Sequence, residues 1–439
     1  MIKHLSLVVS LVFMPLGYSQ SAHTITINSS NNVAILEMTA SEYSSWKANL
    51  EFRNTTKRQE LFKDIYKTFK DDFDFVFLVL NETATPGGWP AGELIPVSNA
   101  IGNIGVSNYS DASLYGSSGK LKAVMSLSRI NYIKNGPSLH ELMHTWGNFL
   151  IQTSWVMADG TGPVGSLIGN YMPHWGFTGG SSKGQLGGFN QSDLQYVNLD
   201  ANKQYLAKEF GGNANGGNSV PYTEFELYLM GMIPLSDVKP FDVFSNIAWY
   251  EKANSNWDVY FNGDKTTYTP AKIETDFGIR TPTPATSQKD FKLLIVVLTA
   301  TPLDQSQMTT VSNDSSWLGL KQDDGTGLYN FWEATAGRGT METDKLNSSL
   351  IALSLNNYDL AEQIVIYPVP ANKIVNIKSE TDINTISVAN SIGQQMPVKK
   401  TESGTNTISL DVSNYAPGIY FISIKNIFGS EMVKKIVVE

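Results

Sequence analysis

The sequence predicts an α+β domain followed by a small all-β sandwich. Three observations carry this expectation. Phe73–Leu80 and Phe291–Thr299 are near-continuous apolar runs, the pattern of strands buried on both faces. Arg58–Lys70 places Leu61, Phe62, Ile65, Tyr66 and Phe69 at helical spacing, and the motif His140-Glu141-Leu142-Met143-His144 follows a Gly-Pro-Ser helix start. From Ile364 onward, short β runs alternate with turns at the spacing of an antiparallel sandwich.

In chain order, residues 1–20 read as a secretory signal. Lys3 is its basic end, Leu5–Leu16 its apolar core, and small and polar residues from Gly17 place cleavage near Ser19–Ala22. That apolar run is short for a bilayer span and no other segment is apolar enough, so no stable transmembrane segment is expected. Residues 24–346 form the first domain. Val33–Met38 is its first strand, then come the Arg58–Lys70 helix and the buried strand. A Gly/Pro-bearing loop at Thr85–Gly92 and a strand at Leu121–Ser128 precede the motif helix. Glycine recurs densely from Gly165 to Gly217, which reads as long irregular loops with short elements, wrapped around a site. Glu224–Met232 reads as a helix, and Tyr329–Glu333 closes the domain. Residues 347–363 read as a linker and 364–439 as the β sandwich.

Composition narrows the chemistry. With 439 residues, 41% hydrophobic and 17% charged, the chain buries ample core. A net charge of −9 argues against nucleic acid as a partner. There is no cysteine, so any metal must use His, Asp, Glu, backbone or water.

The motif supplies two such ligands. Residues four apart share a helix face, so His140 and His144 point at one ion, and neutral imidazole suits zinc. Glu141 lies beside them, placed to take a proton from a metal-activated water. Only five histidines occur in the chain, one of them in the leader, which makes this spacing hard to ascribe to chance. The order helix, buried strand, edge strand, H-E-x-x-H helix resembles a zincin catalytic domain. The resemblance implies a single catalytic Zn2+, Glu141 as general base, and peptide-bond hydrolysis with a protein or peptide as substrate.

A catalytic zinc takes three protein ligands. Metzincins place the third three residues beyond a glycine, but here Gly147 is followed by Leu150. His174, in Tyr171-Met172-Pro173-His174-Trp175, is the favoured third ligand, because only His23 remains besides. Glu226 or Glu224 is the rival, since gluzincins donate a glutamate from a downstream helix. Met230 or Met232 resembles the methionine that metzincins pack beneath the metal, though core filling is the plainer role. Tyr171, Tyr222 and Tyr228 are candidate oxyanion donors. Asp159–Gly162 and Asp323–Gly327 carry oxygens suited to a structural Ca2+, without EF-hand spacing; tight turns are the plainer reading.

The C-terminal segment resembles another family. Y-P-V-P-A at Tyr367–Ala371, Y-A-P-G-I-Y-F-I-S-I at Tyr415–Ile424 and the terminal V-K-K-I-V-V-E are similar to the C-terminal sorting domain of the type IX secretion system. Val369 departs from the family's usual asparagine. The resemblance implies passage across the outer membrane by the type IX machinery, commonly with removal of this domain on export; the alternative for this immunoglobulin-like sandwich is a generic binding module. Taken together, a secreted zinc metallopeptidase is expected. The alternatives are a surface adhesion or binding protein with an inactive zincin-like domain, and a metal-dependent hydrolase of another bond. Glu141 favours an enzyme, because a purely structural zinc needs no carboxylate there.

Overall fold

The computed structural model describes residues 23–147, 149–151, 174–210, 217–254, 256–351, 364–379, 383–402, 407–426 and 431–439. The expected leader, Tyr171, the Asp159–Gly162 turn and most of the expected linker lie outside these residues. The chain divides into two units, Met1–Leu350 and Ile351–Glu439.

The first unit is built on a seven-stranded mixed sheet. Its strands are β1 (Thr24–Ile27), β2 (Ala34–Glu37), β3 (Phe75–Leu80), β4 (Gly92–Pro96), β5 (Ala123–Leu127), β6 (Asp290–Thr299) and β7 (Thr340–Glu342). The order is β1-β2-β6-β3-β5-β4, with β7 beside the start of β6. β2, β3 and β5 run parallel within the sheet, β6 joining β2 to β3, whereas β4 closes the edge antiparallel to β5.

The apolar runs follow from this layering. Alternate residues of β3 and β6 enter opposite cores. Phe75, Phe77, Val79, Leu293, Ile295 and Val297 pack on the face that carries the H-E-x-x-H helix. Val76, Leu78, Leu80, Leu294, Val296 and Leu298 pack on the other face against Leu61, Phe62 and Ile65. Those three lie on α2 (Thr55–Thr68), whose start is capped by the Asn54 side chain accepting from Lys57 N–H; α1 (Ala40–Ala48) precedes it, capped likewise by Thr39.

One expectation changes. Leu121–Ser128 holds an interior strand, β5, and the edge is β4, which has no apolar alternation to reveal it. The short elements expected in the glycine-dense stretch are present among its described residues. In its described part, Leu194–Tyr196 and Tyr205–Ala207 join Val259–Phe261 and Tyr250–Lys252 in a four-stranded sheet. Phe177, Phe189, Phe210, Phe244 and Phe261 form a core of their own beside it. Strands of three residues are too short to carry a period, so aromatic packing supplies the order that local pattern does not show.

The second unit consists of two four-stranded antiparallel sheets. One holds β8 (Ile364–Tyr367), β9 (Ile374–Ser379), β12 (Lys399–Glu402) and β13 (Thr407–Asp411). The other holds β10 (Ile383–Asn390), β11 (Gln395–Met396), β14 (Gly418–Asn426) and β15 (Glu431–Val438). Val375, Ile377, Leu410, Ile422, Ile424 and Ile436 fill one core shared by the two. Among the described residues no helix is long and apolar enough to cross a membrane.

The central strand sets the stability of the first unit. Phe77 is fully buried there. Phe77→Ala is expected to lower that unit's unfolding free energy by about 3–5 kcal/mol, the usual cost of emptying such a site. Urea unfolding of the full chain checks this, and a transition belonging to the second unit should stay where it is.

Candidate metal centre

The motif helix α3 (Ser138–Met143) is only six residues long. Its backbone tightens at the end into i→i+3 bonds, with His144 N–H donating to Glu141 O and Thr145 N–H to Leu142 O. Its start is held from a distance. The fully buried Asn218 accepts from Leu139 N–H at 3.1 Å and donates to Ser138 Oγ and to the Ile133 and Lys134 carbonyls. Tyr222 Oη donates to Leu139 O at 2.9 Å. These partners replace a local cap, which Pro137 does not provide.

Three histidines converge at this helix, His140 buried and His144 and His174 half-buried. His144 Nε2 and His174 Nε2 each lie 3.1 Å from His140 Nε2. His140 Nδ1 lies 2.6 Å from the Gln185 carbonyl oxygen, which can only accept, so the proton sits on Nδ1 and Nε2 presents its lone pair. One lone pair cannot accept from two N–H groups. A cation shared among the three nitrogens satisfies all of them, and ligands around a tetrahedral zinc at about 2.0–2.1 Å lie about 3.3 Å apart. The donor set therefore fits zinc. Burial, reinforced by the neighbouring imidazoles, holds His140 well below the usual histidine range; burial and His144 push His174 down to about 3. Uncharged rings keep the lone pairs that coordination requires.

Glu141 is 7% exposed and lies against the edge strand. A Cβ on Gly92 of β4 would stand 2.8 Å from Glu141 Cγ and 2.7 Å from Pro137 Cγ, so only glycine admits the carboxylate here. Burial, with Glu93 nearby, raises its pKa to about 8, opposed by a hydrogen bond from Leu94 N–H.

The glutamate rivals stand elsewhere. Both belong to α4 (Glu224–Met230). Glu226 is fully buried and caps this helix through Thr223. Its Oε1 accepts from Trp175 Nε1 at 2.9 Å and Leu186 N–H at 3.0 Å, and its Oε2 from Gln185 N–H at 3.2 Å and Thr223 N–H at 3.0 Å. Burial pushes its pKa up while these donors pull it down. Glu224 pairs with Lys239 at 3.0 Å near the surface and accepts from Ser181 Oγ. Neither carboxylate joins the histidine cluster. Met230 and Met232 are buried core residues, and Met232 Cε packs against Gly339. Tyr222 and Tyr228 spend their hydroxyls on Leu139 O and Arg280 N–H. Asp323 and Asp324 accept from their own turn's N–H groups, and their carboxylates lie within 4.8 Å of Glu333.

Gln185, Asn218, Gly92 and the bracing role of Glu226 escape sequence reading. Glycine density and an S/T-x-x-E cap at Thr223 were the available signals.

Comparisons with known proteins bear on the second unit. A family model described as a secretion system C-terminal sorting domain matches residues 365–439. No curated protein matches the chain. Among solved structures, the crystal structure of CopC from Methylosinus trichosporium OB3b is similar over 17% of this chain and 93% of that one. The identity is 16% and the TM-score 0.14, too slight a likeness to bear on fold. The C-terminal residues are a type IX sorting domain, and the chain is secreted across the outer membrane to the cell surface or the extracellular space. Removing residues 365–439 should therefore leave the chain on the cell side of that membrane. Fractionation with an antibody to the first unit reads this directly; normal appearance outside the cell is the contrary result.

Proposed function

We propose that the first unit is a zincin-like, zinc-dependent metallopeptidase. The observation that carries this reading is the convergence of three imidazoles, two of them from the short helix that carries the buried Glu141 and from its C-cap. His140, His144 and His174 would hold the ion. Bound there, zinc supplies a Lewis acid that polarises the scissile carbonyl and acidifies the attacking water. Glu141 takes the proton from that water and passes it to the leaving amine. Gly92 leaves room for its side chain, and Leu94 N–H donates to its carboxylate. The edge strand β4 supports a peptide as substrate. Among the described residues it is bonded on one side only, to β5, and an extended chain can pair with its other side next to Glu141.

The Glu141→Gln variant tests the mechanism. The amide keeps the shape but cannot take the proton. Peptide hydrolysis by the secreted protein should be abolished by a chelator and restored by zinc. In Glu141→Gln it should fall on the order of a thousandfold while zinc content stays at the wild-type level. Wild-type turnover in the variant contradicts the assignment of the base.

A further inference from the structure

Glu226 has more hydrogen bonds than a helix cap needs. A capping box asks for one reciprocal pair, here Thr223 N–H to Oε2 and Glu226 N–H to Thr223 Oγ1. The same carboxylate accepts three further N–H groups from Trp175, Gln185 and Leu186, all on the segment that follows His174. That segment folds back on itself. Trp175 N–H donates to Leu186 O, and Gly184 and Gly187 exchange backbone bonds in both directions. The approach is close: a Cβ on Gly184 would stand 2.4 Å from Glu226 Oε1 and 2.5 Å from Oε2. Each tie leads to the metal centre. Trp175 is the neighbour of His174. Gln185, whose N–H binds the carboxylate, offers its carbonyl to His140 Nδ1.

We infer that Glu226 is the positioning residue of the metal centre, holding through one buried carboxylate both the segment that delivers His174 and the carbonyl that sets the tautomer of His140. This rests on reading the three histidines as zinc ligands. The chemistry requires an ionised carboxylate. Both oxygens face two N–H groups each, so no acceptor is left for an acid proton. An amide keeps the shape but replaces one acceptor with an NH2 group facing two donors. Two bonds are lost and the segment must shift. Partners that orient metal-ligating histidines typically govern affinity about 10–100-fold.

The test is zinc binding by the full chain, measured by competition with a chelator, with the visible spectrum of the cobalt-loaded protein as a second readout. Glu226→Gln should bind zinc at least about tenfold more weakly and show an altered cobalt spectrum. Val296→Ala serves as the comparator. It empties a buried site on the opposite face of the sheet, so it lowers the melting point of the metal-free protein but should leave zinc affinity and spectrum unchanged. If Glu226→Gln yields no folded protein, Trp175→Phe removes a single donor from the carboxylate and should still weaken zinc binding several-fold. Zinc affinity within twofold of wild type in the folded variant overturns the inference. A wild-type protein that binds no zinc overturns the metal reading itself, a result distinct from tight binding by both proteins.

Discussion

His140 has a single lone pair facing two other imidazoles, and the rest of the site depends on that arrangement. The Gln185 carbonyl accepts a hydrogen bond from Nδ1–H, so Nε2 meets His144 and His174 at 3.1 Å as an acceptor. One lone pair can serve only one N–H donor, whereas a shared cation serves all three rings. The energy that holds them together comes from outside the cluster: the apolar face of α3 packed on β3 and β6, Asn218 at the helix start, and Glu226 behind the segment that follows His174.

The sheet explains why these supports coincide. β3 and β6 bury both faces, so one side is free to carry α3 while the other is closed by α1 and α2. β4, antiparallel at the edge, passes close enough to Glu141 that only glycine fits at position 92. Glu141 and the edge strand thus lie together because of sheet order rather than sequence proximity. Among the described residues of the second unit nothing comparable occurs: its core is a sandwich filling, and its role is export.

Much of the site was legible because its chemistry is local. His140, Glu141 and His144 are tied together by helical spacing alone, and His174 follows from scarcity, since a chain with few histidines and no cysteine leaves little else for zinc. The buried strands β3 and β6 announce themselves by unbroken apolar runs. What stayed hidden acts through the backbone or across long separations. Gln185 contributes a carbonyl, which any residue could supply. Asn218 caps a helix some eighty residues away, a distance no capping pattern spans. Glu226 looked like a rival ligand because an acidic residue on a downstream helix has the same sequence appearance whether it faces a metal or a ring of N–H groups. The edge strand β4 was missed because Gly92 and Pro96 break the alternation that marks a strand.

X-ray absorption at the zinc edge, on the secreted protein, tests the central claim most directly. Three imidazole nitrogens at about 2.0–2.1 Å and one further light ligand, with a fourth-site ligand that exchanges, are the expected result. A coordination shell with fewer than three imidazoles, or protein that takes up no zinc, contradicts the account.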